Sequence, residues 1–438
     1  MASRFAWRLS ISCWEETSVK LVIKNVVDSA GKKIEIACDN GRIVDTKQVT
    51  NDFNVYDGKG LTIIPGLVDL HTHLREPGKE DAETVLTGSR AAVAGGFTAI
   101  SAMPNTNPVA DTAGVVEQVH RLGQVHGLCD VFPIGAVTVG QQGKSLSEMG
   151  AMNSSEAKVR IFSDDGHCVS DSLVMRRALE YVKGFDGVIA QHAQDPRLTA
   201  GSQMNEGAVS AQLGLKGWPA AAEESIIARD ILLSEHVGSR LHICHLTTAG
   251  GVELVRWAKK RGVQVTAEVT PHHLLLTDET ARSYDPIFKV NPPLRTERDV
   301  QALREGLADG TIDIIATDHA PHPAEDKECE WAAAAFGMIG LETALSISYL
   351  AMVQSGLISF STLVEKLTTN PAKIARYEGH GSLATGNWAN FALVDLAHNW
   401  RVEATSIRSK SKNSPFLDRE LPAVVVSTFF RGTEVYSR

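Results

Sequence analysis

The 438-residue sequence predicts an α/β fold: a (β/α)8 TIM-type barrel joined to a smaller β domain built from both chain ends. Three observations predict it. The middle of the chain alternates short apolar, β-branched runs with segments of helical periodicity, eight times over. Histidines and aspartates gather where those runs end, which is where barrel enzymes place their chemistry. Both ends of the chain have a different texture, short strand-like runs separated by turn residues.

Residues 1–18 carry Arg4 and Arg8 but no continuous apolar core or small-residue cleavage site, and read as a disordered leader. From 19 to 64 the runs Leu21-Val22-Ile23 and Ile34-Glu35-Ile36-Ala37 precede Asn40-Gly41, a hairpin cue. Residues 376–438 repeat that texture with Phe391-Ala392-Leu393-Val394 and Ala423-Val424-Val425-Val426. The two ends are expected to pack as one discontinuous β domain around a barrel spanning 65–375.

The barrel strands are expected at 61–70, 98–103, 130–138, 159–163, 188–192, 241–245, 263–269 and 312–317. Helical periodicity falls between them, at 82–94, 111–122, 170–182, 223–235, 251–261 and 298–307. A doubly wound open sheet is the rival, but no Gly-x-Gly-x-x-Gly follows the first strand to favour a dinucleotide.

The first barrel strand runs into Asp69-Leu70-His71-Thr72-His73-Leu74-Arg75-Glu76-Pro77-Gly78. Alternate residues of a strand share a face, so His71 and His73 project together, and neutral imidazoles suit zinc and its neighbours. Arg75 adds a fork for a carboxylate or phosphate. Strand 4 ends in Asp164-Asp165-Gly166, strand 5 in His192, strand 6 in Cys244-His245 and strand 8 in Asp318-His319-Ala320-Pro321-His322. Unpaired charges on one rim would be costly as core filling, so these residues point to a metal site. They exceed the needs of one ion and suit two. His71, His73 and Asp318 hold the first and His192 and His245 the second, with a bridging aspartate that spacing alone does not choose between Asp164 and Asp165. Asp318 is placed to take a proton and pass it to a leaving nitrogen.

Other histidines have blander readings. His120, His126, His236, His380 and His398 lie away from strand ends and read as surface residues; His319 should point away from the metals. His272 and His273 read equally as supporting donors or as packing. Cys244 reads as a small buried hydrophobe.

A net charge of −9 argues against nucleic acid or an anionic membrane as partner. No apolar run reaches the ~18 residues a membrane span needs. Six cysteines without Cys-x-x-Cys spacing fit reduced thiols and a cytoplasmic location.

Together Asp69-x-His71-x-His73-x-Arg75-Glu76-Pro77-Gly78, Met103-Pro104-Asn105-Thr106, Asp164-Asp165-Gly166, Val290-Asn291-Pro292-Pro293-Leu294-Arg295 and Thr317-Asp318-His319-Ala320-Pro321-His322 resemble the dihydroorotases of the amidohydrolase superfamily. The likeness is to the longer bacterial type and covers about residues 20–438. It implies a (β/α)8 barrel with a β-sandwich made by both termini. It also implies reversible zinc-dependent cyclisation of N-carbamoyl-L-aspartate to L-dihydroorotate, with one or two Zn2+ ions and a metal-bridging hydroxide attacking the ring carbonyl. By the same resemblance His71, His73, Asp165, His192, His245 and Asp318 are metal ligands, and Asp318 is the acid/base. Arg75, Asn105 and His322 grip the substrate carboxylate, Asn291 contacts the ring, and Phe336-Gly337 supplies main-chain contacts. The superfamily's bridging lysine is missing. Lys158 lies seven residues before Asp165, roughly 23 Å of extended chain and at the wrong end of the strand, so Asp165 takes the bridge.

Two other readings compete: a hydantoinase or allantoinase, and a catalytically dead barrel acting as a scaffold. The first usually carries the strand-4 lysine and has less use for Arg75, Asn105 and His322; the second typically loses metal ligands, and none is missing. The partners considered are a second copy of the chain, as a homodimer, and aspartate transcarbamoylase.

Overall fold

The computed structural model describes residues 19–438, so the expected leader lies outside the described residues. The chain opens with β1 (Leu21–Val27), β2 (Lys33–Asp39), β3 (Arg42–Val44), β4 (Asn54–Asp57) and β5 (Thr62–Pro65). Asn40 and Gly41 both take positive φ, 49° and 72°, in the tight turn that joins β2 to β3. The middle supplies β6 (Leu67–Thr72), β7 (Phe97–Ala102), β8 (Asp130–Pro133), β9 (Ile161–Phe162) and β10 (Val188–Gln191). A short ribbon, β11 (Met204–Asn205) with β12 (Gly217–Trp218), precedes β13 (Arg240–Ile243), β14 (Val265–Val269) and β15 (Ile314–Ile315). The C-terminal part holds β16 (Phe391–Asp395), a ribbon of β17 (Trp400–Arg401) and β18 (Glu420–Leu421), then β19 (Val424–Phe430) and β20 (Thr433–Ser437).

Both chain ends share one sheet, ordered β20-β19-β16-β5-β1-β2-β3, with β4 also on β1. The joint is the antiparallel pairing of β5 with β16, Ile64 opposite Ala392. Ile23, Ile63, Phe391, Leu393 and Phe429 pack on one of its faces.

The strands of the middle are parallel and lie in two sheets, β6-β7-β8 and β9-β10-β13-β14-β15. Single parallel bridges join them at both edges, Gly135 with Phe162 and Thr72 with His319. Parallel strands buried on both faces need apolar sequence throughout, and β6, β7 and β10 are buried at every position. Intervening helices such as Val85–Ala94, Ser172–Lys183 and Glu297–Asp309 follow the expected periodicity.

Most of these strands are shorter than the sequence predicts, and 61–70 is split between β5 and β6; the three that shorten most have a reason at the end. β8 stops at Pro133, and Val137 and Thr138 then donate their amides to Asp164. β9 stops before Ser163, whose hydroxyl accepts from the Asp165 amide. β15 stops before Thr317, whose amide donates to Asp69 on β6. The backbone leaves the ladder where the side chains of interest begin.

Between β17 and β18 the C-terminal chain reaches the loops that follow the parallel strands. Asn413 donates to the carbonyls of Ala320 and Gly337, at 3.0 and 3.3 Å. Ser409 and the Lys410 amide donate to Glu83. Among the described residues no helix is long and apolar enough to cross a membrane.

Candidate active site

The expected ligands converge. Asp165 Oδ1 lies 3.1 Å from His192 Nδ1, 3.2 Å from His245 Nε2 and 3.4 Å from His71 Nε2. Its other oxygen is 3.4 Å from His73 Nε2. Asp318 Oδ1 closes the group, 3.1 Å from His73 Nε2 and 3.5 Å from His71 Nε2. All six residues are buried. The two aspartates at the end of strand 4 point in different directions. Asp165 faces the histidines, while Asp164 accepts from the amides of Val137 and Thr138 and from the Thr138 hydroxyl.

Three of the rim residues hold left-handed backbone: Arg75 at φ 63°, His245 at 28° and Asp318 at 47°. Such conformations are costly for side chains with a Cβ and collect where a site needs them. Here they end strands and turn successive side chains into the rim.

Three of the histidines are held by the ring nitrogen that faces away from the cluster. His71 Nδ1 donates to Glu268 at 2.6 Å and His192 Nε2 to Gln194 at 2.7 Å. His73 Nδ1 donates to Asn105 Oδ1 at 2.9 Å. Each bond fixes which nitrogen is left for the cluster. Glu268 was not anticipated from the sequence. It also accepts from His242 Nε2 and from the His245 amide, at 3.0 and 3.1 Å. A lone carboxylate inside the apolar run Val265–Val269 was the available signal.

Electrostatics favour a cation at the centre. Burial works against charge on His71, yet Asp165, Glu268 and Asp318 hold its pKa well above the ordinary imidazole range. Burial likewise opposes ionisation of Asp318, but His71 and His73 bring its carboxyl down to about 2. Protons here occupy places that a metal takes on binding. The donor set fits a metal. His71, His73 and Asp165 form one group, and Asp165, His192 and His245 another, with ligand atoms within 4.8 Å of one another. His71 Nε2 is buried without a hydrogen-bond partner. Cys244 also lies near His71 and Glu268, but burial pushes its thiol pKa up and leaves it a buried small side chain, as expected.

Every expected substrate contact borders one cavity of about 130 Å³, beside His73, Asp165, His192 and Asp318. Arg75 is buried and donates from Nε to the Pro321 carbonyl at 3.1 Å, with Nη2 3.5 Å from His322 Nε2. Burial lowers its pKa to about 10, so it stays charged. His322 donates from Nε2 to the Phe336 carbonyl at 2.9 Å. Burial, then the charges of Arg75 and Lys327, push its pKa down to about 3, so the ring is neutral. Asn291 reaches Gln194 at 3.4 Å, and its Oδ1 is buried without a partner.

Among the other histidines, His319 turns away as expected, its Nε2 3.4 Å from Glu83 and its Nδ1 accepting from the Gly340 amide. His273 donates to the Pro292 carbonyl and so braces the segment carrying Asn291. His380 corrects the sequence reading. It is 8% exposed, with Nε2 3.1 Å from Asp130, because the chain after Ala375 packs against β8 and not into solvent.

Residues 60–250 match the family model described as Dihydro-orotase-like. A protein of Streptomyces coelicolor named dihydroorotase is 62% identical, covering 94% of this chain and 97% of its own length. One from Mycobacterium tuberculosis with the same name is 52% identical over 92% of this chain and 94% of its own. Among solved structures, an L-hydantoinase from Arthrobacter aurescens matches with a TM-score of 0.85 at 27% identity, over 96% of both chains. A D-hydantoinase from Thermus sp. has a TM-score of 0.78 at 21% identity over 94% of both, a likeness of fold alone.

Proposed function

The chain belongs to the dihydroorotase family, and from that premise we propose how its cavity opens L-dihydroorotate and closes N-carbamoyl-L-aspartate. This reversible cyclic-amide hydrolysis is a step of pyrimidine biosynthesis. The observation that carries the proposal is the meeting, in one cavity, of the histidine–aspartate cluster with Arg75 and His322.

In this reading His71, His73 and Asp318 would hold one zinc ion and His192 and His245 a second, with Asp165 available to both. When bound, zinc acidifies a water toward neutrality and polarises the ring carbonyl. The remaining work falls to the side chains. The Arg75 guanidinium receives the substrate carboxylate as a fork, with Asn105 and His322 beside it, which fixes the ring against the cluster. Asn291 and the Phe336-Gly337 main chain bound the ring. Asp318 is ionised at neutral pH, so it takes the proton of the attacking water. It returns that proton to the ring nitrogen as the carbon–nitrogen bond breaks. Ring closure runs the same transfers backward.

We further propose that the eight parallel strands form a closed barrel, a reading supported by the bridges at both sheet edges. The sheet shared by the chain ends is taken as the composite β-sandwich of 19–64 and 376–438 around a barrel of 65–375.

The test is the ultraviolet absorbance of L-dihydroorotate in the presence of purified protein, with hydantoin and allantoin as controls and metal measured in the same sample. Loss of dihydroorotate alone is expected. Faster turnover of hydantoin or allantoin would move the assignment to another cyclic amidase.

A further inference from the structure

Five residues beyond His322, the short helix Ala324–Lys327 ends in a lysine whose side chain turns inward. Lys327 is 5% exposed, and Lys289, two residues before Asn291, is 1% exposed. Neither ammonium pairs with a carboxylate among the described residues; both are held by main-chain carbonyls. Lys327 Nζ donates to Lys289, Ala335 and Gly337, at 3.1, 2.9 and 3.0 Å. Lys289 Nζ donates to Trp331, Ala332 and Ala334, at 2.6, 3.3 and 2.8 Å, and lies 4.4 Å from the centre of the Phe336 ring.

Burial, and then the like charge of Lys289, lower the Lys327 pKa to about 7. The geometry nonetheless matches the charged form, since three acceptors take up all three ammonium hydrogens and a neutral amine has two. Burying two such charges is expensive, and a fold that only needed to close this loop has cheaper means.

What the two lysines hold is the wall 331–337. Its inner end meets the substrate side of the cavity. The Phe336 carbonyl accepts from His322, and Gly337 packs so closely that a Cβ there would lie 2.8 Å from His322 Nε2. Asn413 grips the Gly337 carbonyl from the opposite side and accepts from the His322 amide. His322 is the group next to Arg75, where the carboxylate is received.

We propose that Lys327 and Lys289 are positioning residues for the carboxylate end of the substrate. They fix the wall behind His322 and place two uncompensated positive charges there, so the site selects an anionic ring over its uncharged analogue. The inference rests on the dihydroorotase reading and extends it to substrate selection. At the effective dielectric of a partly buried site, charges several ångströms from a carboxylate change its binding by about tenfold.

The test compares L-dihydroorotate with 5,6-dihydrouracil, the same ring without the carboxylate, on metal-loaded Lys327→Met enzyme. The expected result is a KM for dihydroorotate raised about tenfold, with kcat within about threefold, metal content unchanged and dihydrouracil turnover changed by less than about threefold. If native turnover of dihydrouracil is too slow to follow, its inhibition constant replaces the rate. An unaltered KM, or equal losses on both rings, would overturn the proposal, the second because a merely structural lysine affects both alike. Should Lys327→Met fail to fold, Lys289→Met carries the same comparison with the same two outcomes. Native enzyme inactive on dihydroorotate would instead reject the underlying reading, so the two failures are distinguishable.

Discussion

His71 donates its Nδ1 hydrogen to Glu268 at 2.6 Å, while its Nε2 faces Asp165 and Asp318 at 3.4 and 3.5 Å. One carboxylate from the middle of β14 therefore sets the tautomer of a rim histidine on β6. The same carboxylate accepts from the His245 amide, so it braces both sides of the cluster. Glu268→Gln keeps the shape and removes the charge that makes His71 a strong donor. Metal affinity is expected to fall about 10- to 100-fold, read by competition against a chelator of known affinity. Unchanged affinity would show that Glu268 only fills space.

Arg75 should separate substrate binding from metal binding. Arg75→Ala removes the buried guanidinium beside His322 without touching the histidine–aspartate cluster. With one charge-assisted fork lost, kcat/KM for dihydroorotate is expected to drop about 100-fold, while metal content by elemental analysis stays at the native value.

A buried charge elsewhere predicts stability. Arg295 is 1% exposed and donates to Thr247 Oγ1, Asn205 Oδ1 and the Trp218 carbonyl, with Nη2 3.5 Å from Glu223. Arg295→Met leaves Asn205 Oδ1 without its donor and removes the cation beside Glu223, whose carboxylate keeps the Thr247 and Thr248 amides. A loss of about 1–3 kcal/mol is expected in denaturant unfolding, with the slope unchanged.

Stripping the metal should be felt in the fold as well. Without it, two buried carboxylates and four imidazoles meet with no central cation. Dialysis against a chelator is expected to lower Tm, and zinc to restore it in a concentration-dependent way. A Tm indifferent to chelation would argue that no ion is held at the cluster.

The rim was legible in the sequence because a strand's two-residue period says which side chains share a face. His71 and His73 followed from that, and His192, His245 and Asp318 from their places at strand ends. The parallel strands of the middle were legible too, since continuous apolar runs are what such strands require. Other features were hidden because they depend on contacts distant in sequence. Asp164 turns away from the histidines because of the Val137 and Thr138 amides, 27 and 26 residues earlier. Asn413 reaches His322 and Gly337 from a segment whose strand-like neighbours pointed only to the small β domain. His380 was misjudged for the same reason: its partner Asp130 is 250 residues earlier in the chain. Glu268 could have been found, as a charge in the middle of an apolar strand must have buried partners.

Hydrolysis of L-dihydroorotate by native protein and by Asp318→Asn, each with zinc content measured, tests the central claim most directly. Asp318 meets both His71 and His73 and is assigned the proton transfer. The native chain is predicted to consume dihydroorotate, and the metal-loaded variant to show no measurable turnover. A native chain without activity, or a variant that retains a substantial share of it, would contradict the account.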